Sequence, residues 1–207
     1  VVQNDKMGYI NARGEEIIPP RYELINSFSE GLAVVMIDSM YGFIDTTGQF
    51  PFPARFEKAG GFSEGLAAVK RSKEEKWGYI DKTGVFVIQP KYEMAYRFEG
   101  GLAWVVQGDK KRIMIDSTGA IVSELAVDDF SIFSEDLVAV QIENKWGYMD
   151  KKGKIVIPAK YTEIGYFEDG FTTVKTEGKW GIIDKQGKFI ISPQFNSLSM
   201  FHEDLAV

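Results

Sequence analysis

Residues 145–174 read KWGYMDKKGKIVIPAKYTEIGYFEDGFTTV, and the rest of the chain repeats this stretch. Lys145-Trp146-Gly147-Tyr148-Met149-Asp150 recurs as Lys76-Trp77-Gly78-Tyr79-Ile80-Asp81 and as Lys179-Trp180-Gly181-Ile182-Ile183-Asp184. Anchored on its glycine, the motif returns at Gly8, Gly42, Gly78, Gly147 and Gly181, with Ile113 in the glycine place of a degenerate fourth copy. The spacings are 34, 36, 35, 34 and 34 residues, so the chain is a tandem array of six copies.

Other columns keep step. A turn glycine follows each motif at Gly14, Gly48, Gly84, Gly119, Gly153 and Gly187. Eight residues later stands an aromatic (Tyr22, Phe56, Tyr92, Tyr161, Phe195), replaced by Val127 in the fourth copy. Six residues further lies a Phe in every copy, from Phe28 to Phe201. A short apolar run such as Leu32-Ala33-Val34-Val35 closes the unit.

Each unit reads as short strands joined by turns. Asp-x-x-Gly, as in Asp45-Thr46-Thr47-Gly48, suits a type I turn: the Asp side chain bonds the turn backbone, and the Gly supplies the left-handed conformation that follows. Flanked by Trp-Gly-Tyr-Met and Ile155-Val156-Ile157, it predicts a hairpin. Pro53, Pro90, Pro158 and Pro193 are expected to end the second strand, since proline cannot donate to a ladder. The stretch from Tyr22 to Phe28 is too short for a helix of its own and predicts an irregular segment. A Ser-Glu-Gly turn then opens an apolar strand whose fourth residue is always Val (Val35, Val69, Val105, Val140, Val174), a β-branched core column.

These columns resemble the bacterial WG, or KWG, repeat family along the whole chain: K-W-G-Y-I-D, a D-x-x-G turn, I-P-x-x-Y, then F-S-E-G-L-A-V-V. Copies one and two carry Met7 and Tyr41 in the Trp place, and copy four has Arg112-Ile113 and lacks the Pro. The resemblance implies a non-enzymatic repeat domain with a surface or envelope address, hence an extracytoplasmic lean. It brings no established catalytic or ligand residue to transfer.

The expected fold is all-β, one domain spanning residues 1–207. Its six repeats of about 35 residues close into a β-propeller-like ring, with an open solenoid of hairpins as the alternative. The 173 residues from Gly8 to Gly181 leave 34, one repeat length, for the path round through both termini. Val1 then falls in the all-Val column, so that the first and last segments together complete a sixth unit and leave no free sheet edge.

Composition narrows function by exclusion. A net charge of −6 with no basic stripe is the wrong surface for nucleic acid; the densest basic run is Lys110-Lys111-Arg112, directly after Asp109. No apolar run is long enough to span a membrane as a helix. Without cysteine, thiolate metal sites, disulfides and Cys nucleophiles are out. The first residue, Val1, suggests a trimmed chain.

The lone His202 sits in a repeat turn beside Glu203 and Asp204 and lacks the partners a ligand or base needs. The column Asp45, Asp81, Asp116, Asp150, Asp184, with Asn11, supplies one oxygen per turn where a calcium loop needs several, so turn capping explains it. Asp128-Asp129 and Glu74-Glu75 are adjacent pairs, which on a strand point to opposite faces instead of across a cleft. No G-x-S-x-G elbow accompanies the histidine, and no phosphate-cradling glycine motif is present. No enzyme, cofactor or metal is expected.

Trp77, Trp146 and Trp180 stand in a fixed column and read as packing between units more than as a sugar platform. Function is sought where copies disagree. Two slots before the Phe vary freely: Asn26-Ser27, Gly60-Gly61, Tyr96-Arg97, Ser131-Ile132, Gly165-Tyr166 and Ser199-Met200. A third variable column holds Val34, Ala68, Trp104, Ala139 and Thr173. Tyr, Trp and Arg are typical interface anchors, which makes Tyr96, Arg97, Trp104 and Tyr166 the candidate binding residues. The expected partner of this monomeric scaffold is a protein or peptide, with a glycan or cell-envelope polymer as the alternative.

Overall fold

The fold is described from a computed structural model for residues 1–53, 55–108 and 111–199. Strands and turns make up all the secondary structure of these residues, in six antiparallel meanders. The chain divides into two compact units, Val1–Lys110 with Ile115–Ala120, and Lys111–Met114 with Ile121–Val207. Four of the six sheets have four strands and two have three.

One sheet of the second unit stands for the plan. Its strands Asp129–Ser134, Leu137–Ile142, Lys145–Asp150 and Ile155–Tyr161 pair in chain order. The next sheet repeats it with Glu163–Ile164, Phe171–Thr176, Lys179–Asp184 and Phe189–Phe195. Five of the six sheets thus open with a lead strand from the segment read as irregular; it has two residues in four of them and six in the sheet that follows the fourth copy's Val127. An apolar strand, the WG strand and an edge strand follow. Val35, Val69, Val105, Val140 and Val174 are fully buried, as their β-branched side chains predict, while Val1 at the chain start is exposed. Val1 exchanges backbone bonds with Gly8 (3.0 Å out, 2.9 Å back), as Val35 pairs with Gly42. The strand expected to meet it from the other end, Leu205-Ala206-Val207, lies outside the described residues, as do Phe201 and His202.

The turns follow their side-chain chemistry. Asp45 Oδ1 accepts bonds from the Thr47 amide (2.8 Å) and hydroxyl (2.6 Å) and from the Gln49 amide (3.0 Å). These bonds, the Thr47 hydroxyl's first, hold its carboxyl below the usual range, and Asp81 and Asp116 are held down by Thr83 and Thr118 in the same way. The Ser-Glu-Gly turn is a two-residue hairpin: Glu30 and Gly31 both have positive φ (52° and 84°), and Ser29 and Leu32 exchange both backbone bonds.

The prolines do not end their strands. Pro90, Pro158 and Pro193 lie inside strands that run on to the aromatic column. Each stands on an edge strand, where the missing N–H has no ladder to serve, and in a register shift: Trp146 faces Tyr161 while Tyr148 faces Ile157. Around Pro53 the described residues form no edge strand at all, only a bridge from Phe56 to Tyr41.

That bulge explains the motif's glycine. A Cβ on Gly147 would lie 2.4 Å from the Ile157 carbonyl oxygen and 2.7 Å from the Ala159 nitrogen. Gly8, Gly78 and Gly181 meet the matching backbone atoms at 2.2–2.8 Å. These are main-chain atoms that cannot swing aside.

Within each unit, neighbouring repeats are fastened by recurring contacts. Ile18 packs on the Gly48 turn of the next repeat and Ile157 on that of Gly187. Ser29 donates its hydroxyl to the Phe62 carbonyl, and Ser63 to Phe98 (2.7 Å each). Glu135 accepts from the Gly170 amide (3.1 Å) and pairs with Lys185 (2.8 Å); Glu30 does the same with Gly65 (3.0 Å) and Lys82 (3.1 Å). The Lys185 bond and then the Gly170 amide hold the Glu135 carboxyl below its ordinary range, against the opposing effect of burial.

Gly147→Ala is expected to destabilise by about 3 kcal/mol and lower Tm by roughly 6–12 °C, whereas Gly61→Ala, whose Cβ meets nothing within 4 Å, stays near neutral; calorimetry of both compares them. Because folding lowers the Glu135 pKa, its contribution is complete above the unfolded-state value near 4.3 and is lost as pH falls through the folded-state value. Glu135→Gln should therefore cost roughly 0.5–1 kcal/mol at neutral pH, and urea unfolding should show that gap closing at acid pH.

Candidate functional site

The Phe column builds the support for the variable slots. Phe98 packs edge-on against Tyr79 (4.9 Å between ring centres) and Phe167 against Tyr148 (4.8 Å). The tyrosine hydroxyl then reaches the first slot residue: Tyr79 donates to the Tyr96 carbonyl (2.7 Å), Tyr148 to that of Gly165 (2.8 Å), and Tyr9 to that of Asn26. Burial raises the pKa of Tyr79 and Tyr148 far above the ordinary phenol value, so both stay protonated donors. On the other side, the slot amide bonds the third variable column: Asn26 to Val34, Gly60 to Ala68, Tyr96 to Trp104 and Gly165 to Thr173 (2.8–3.0 Å). The variable residues therefore ride on segments tied at both carbonyl and amide.

Two grooves open where slots of successive repeats face each other. In the first unit a groove of about 330 Å³ is bounded by Gly60-Gly61, Ala68, Trp77, Ala95 and Arg97, with Ser29 and Ser63 at one end. In the second unit a groove of about 300 Å³ is bounded by Ser131, Ala139, Trp146, Ile164, Gly165, Tyr166, Glu163 and Trp180. Counted from the WG glycine, the walls correspond: Ala68 to Ala139, Trp77 to Trp146, and Arg97 to Tyr166.

Of the sequence candidates, Arg97 and Tyr166 line these grooves, one in each unit, and both are exposed. Tyr96 is half-buried beside Arg97 and is not part of the lining. Trp104 is not the exposed anchor expected of it. Its residue is 5% exposed within the apolar strand Leu102–Gln107, so its indole packs in the core. The variable column it belongs to is buried throughout (Val34, Ala68, Trp104, Ala139 and Thr173), and its small members Ala68 and Ala139 line the two grooves.

The tryptophans of the fixed column pack as expected and also reach the grooves. Trp77, Trp146 and Trp180 are half-buried: each pairs across the strand with the aromatic column (Tyr92, Tyr161, Phe195) and turns its remaining surface to a groove. They are frame and wall at once. Glu163 was also missed in the sequence; it stands on the two-residue lead strand, pairs with Lys175 at 2.6 Å, and Lys175 Nζ lies 5.5 Å from the Trp180 ring centre.

Among the described residues no group of three or more His, Cys, Asp or Glu could hold a metal, and no helix is long and apolar enough to cross a membrane.

The family described as "WG containing repeat" matches residues 7–40, 41–73, 77–110, 114–146, 146–180 and 180–207. No curated protein matches. Among solved structures, Kluyveromyces lactis Hsv2p is similar at 10% identity and a TM-score of 0.51, covering 81% of this chain and 63% of that one. The computationally designed Ika8 protein is similar at 13% identity and 0.47, covering 87% and 65%. The WD40 β-propeller domain of Doa1 stands at 10% and 0.40, covering 80% and 66%. The chain spans under two thirds of the first two proteins, and the Hsv2p likeness bears on fold alone.

Proposed function

We propose, from the premise that this chain belongs to the WG containing repeat family, that it is a non-enzymatic scaffold which binds a protein or peptide partner through the grooves between its variable slots. The observation that carries this is the recurrence of one groove at equivalent places in two units, on one frame and with different slot residues at its rim. Both grooves have the size of small ligand sites and can each take a side chain or two of an extended segment. Closure of the six repeats into a ring, in a monomer, is part of the proposal; its support is the recurrence of one antiparallel meander in six tandem repeats.

A second class of partner has one specific observation in its favour. Trp146, Trp180 and Tyr166 line a single groove, and rings of this kind stack on sugars as well as on peptide side chains.

Panning a random heptapeptide library on the immobilised chain tests the proposal. Enriched peptides should lose affinity with Tyr166→Ala or Arg97→Ala while circular dichroism is unchanged, both residues being exposed. Trp104→Ala should instead lower stability by about 3–5 kcal/mol. Full binding retained by both surface variants, or capture of oligosaccharides and no peptide on arrays, contradicts it.

A further inference from the structure

The two grooves share a frame but not a charge. At the position of Arg97 in the first unit's groove, the second unit has Tyr166. Sixteen residues after the WG glycine, where the first unit has Met94, the second has Glu163. The second unit's groove therefore combines three aromatic rings with a carboxylate, the composition that attracts a cation through ring quadrupole and charge together.

The chain already holds a cation there. Lys175 Nζ sits 2.6 Å from Glu163 Oε1 and 5.5 Å from the centre of the Trp180 ring, with its side chain 25% exposed. The contact follows from the ladder, since Lys175 is the cross-strand partner of both Glu163 and Trp180. An ammonium held between ring and carboxylate shows which sign of charge this wall accepts. The Glu163 side chain keeps 56% of its surface, and Tyr166 is 52% exposed, so the carboxylate and the opposite ring stay open to a second cation or to an exchange for the first.

A neutral sugar fits this lining less well. The Ser131 hydroxyl is engaged twice, donating to the Ile132 carbonyl (3.0 Å) and accepting from the Ala139 amide (3.2 Å). Outside the rings, Glu163 is then the polar side chain on offer, and a carboxylate only accepts. The net charge of −6 favours a basic partner in the same sense.

We propose that the groove of Trp146, Tyr166, Trp180 and Glu163 is a recognition site for a cationic side chain, arginine or lysine, of a partner peptide, with Lys175 as the internal cation it competes against. This rests on the proposal that the grooves bind peptide, and it assigns the chemistry of one of them.

The test titrates the whole chain, by tryptophan fluorescence and calorimetry, with acetyl-triarginine amide, acetyl-triglutamate amide, acetyl-trialanine amide and cellotriose. Triarginine should bind most tightly. Glu163→Gln should weaken it about fivefold or more, and Lys175→Met should strengthen it by a similar factor. Glu177→Gln, which removes the same charge from an exposed turn outside the lining, should leave it unchanged. Equal weakening by Glu163→Gln and Glu177→Gln would reduce the effect to net charge and overturn the site. Trialanine or triglutamate binding in preference to triarginine overturns the cation assignment and leaves the peptide scaffold standing. Cellotriose binding with silence from all three peptides, or silence from all four probes, overturns both.

Discussion

In four of the repeats, those of Gly8, Gly78, Gly147 and Gly181, the contact on which the rest depends is the one between the WG glycine and the bulged edge strand. Five residues of edge strand, Ile157 to Tyr161, lie opposite three of the WG strand, Tyr148 to Trp146, and the excess backbone folds down onto Gly147. Only a residue without Cβ leaves room, because the crowding atoms are a carbonyl oxygen and an amide nitrogen. The bulge also tolerates proline in mid-strand and delivers Tyr161 to the position where it faces Trp146. From that one contact follow the motif's glycine, the proline beside it, and the aromatic eight residues past the turn.

The same frame fixes what can vary. A tyrosine hydroxyl holds the slot carbonyl in three repeats (Asn26, Tyr96 and Gly165), and the apolar strand holds the slot amide there and at Gly60, so the slot backbone is anchored while its side chains are free to differ. Changing them rewrites a groove without touching a core column. Gly60-Gly61 with Arg97 and Ser131 with Tyr166 are two such versions, and Glu163 and Lys175 set the charge of the second.

Much of this was legible in the sequence because repetition itself is informative. The repeat length, the Asp-x-x-Gly turns and the Val column needed only the comparison of copies. What escaped were facts of pairing. Pro158 reads as a strand end because a one-dimensional rule cannot see that its strand is an edge and its register shifted. Trp104 reads as an exposed anchor because it varies, yet it is buried, which depends on the phase of the Leu102–Gln107 strand. Trp146 and Trp180 read as packing because they recur, and a half-buried indole has a second face. Glu163 and Lys175 are twelve residues apart and meet only through a two-residue strand too short to forecast.

The division of the chain into an anchored frame and ligand-bearing slots is tested most directly by two-dimensional NMR of the isotope-labelled chain during titration with acetyl-triarginine amide. Shifts are expected on the indole N–H signals of Trp146 and Trp180 and on the amides of residues 131 and 163–166. Signals of the buried Val column should stay still. Shifts centred on another face, or spread through the Val column with the groove signals unmoved, would contradict it.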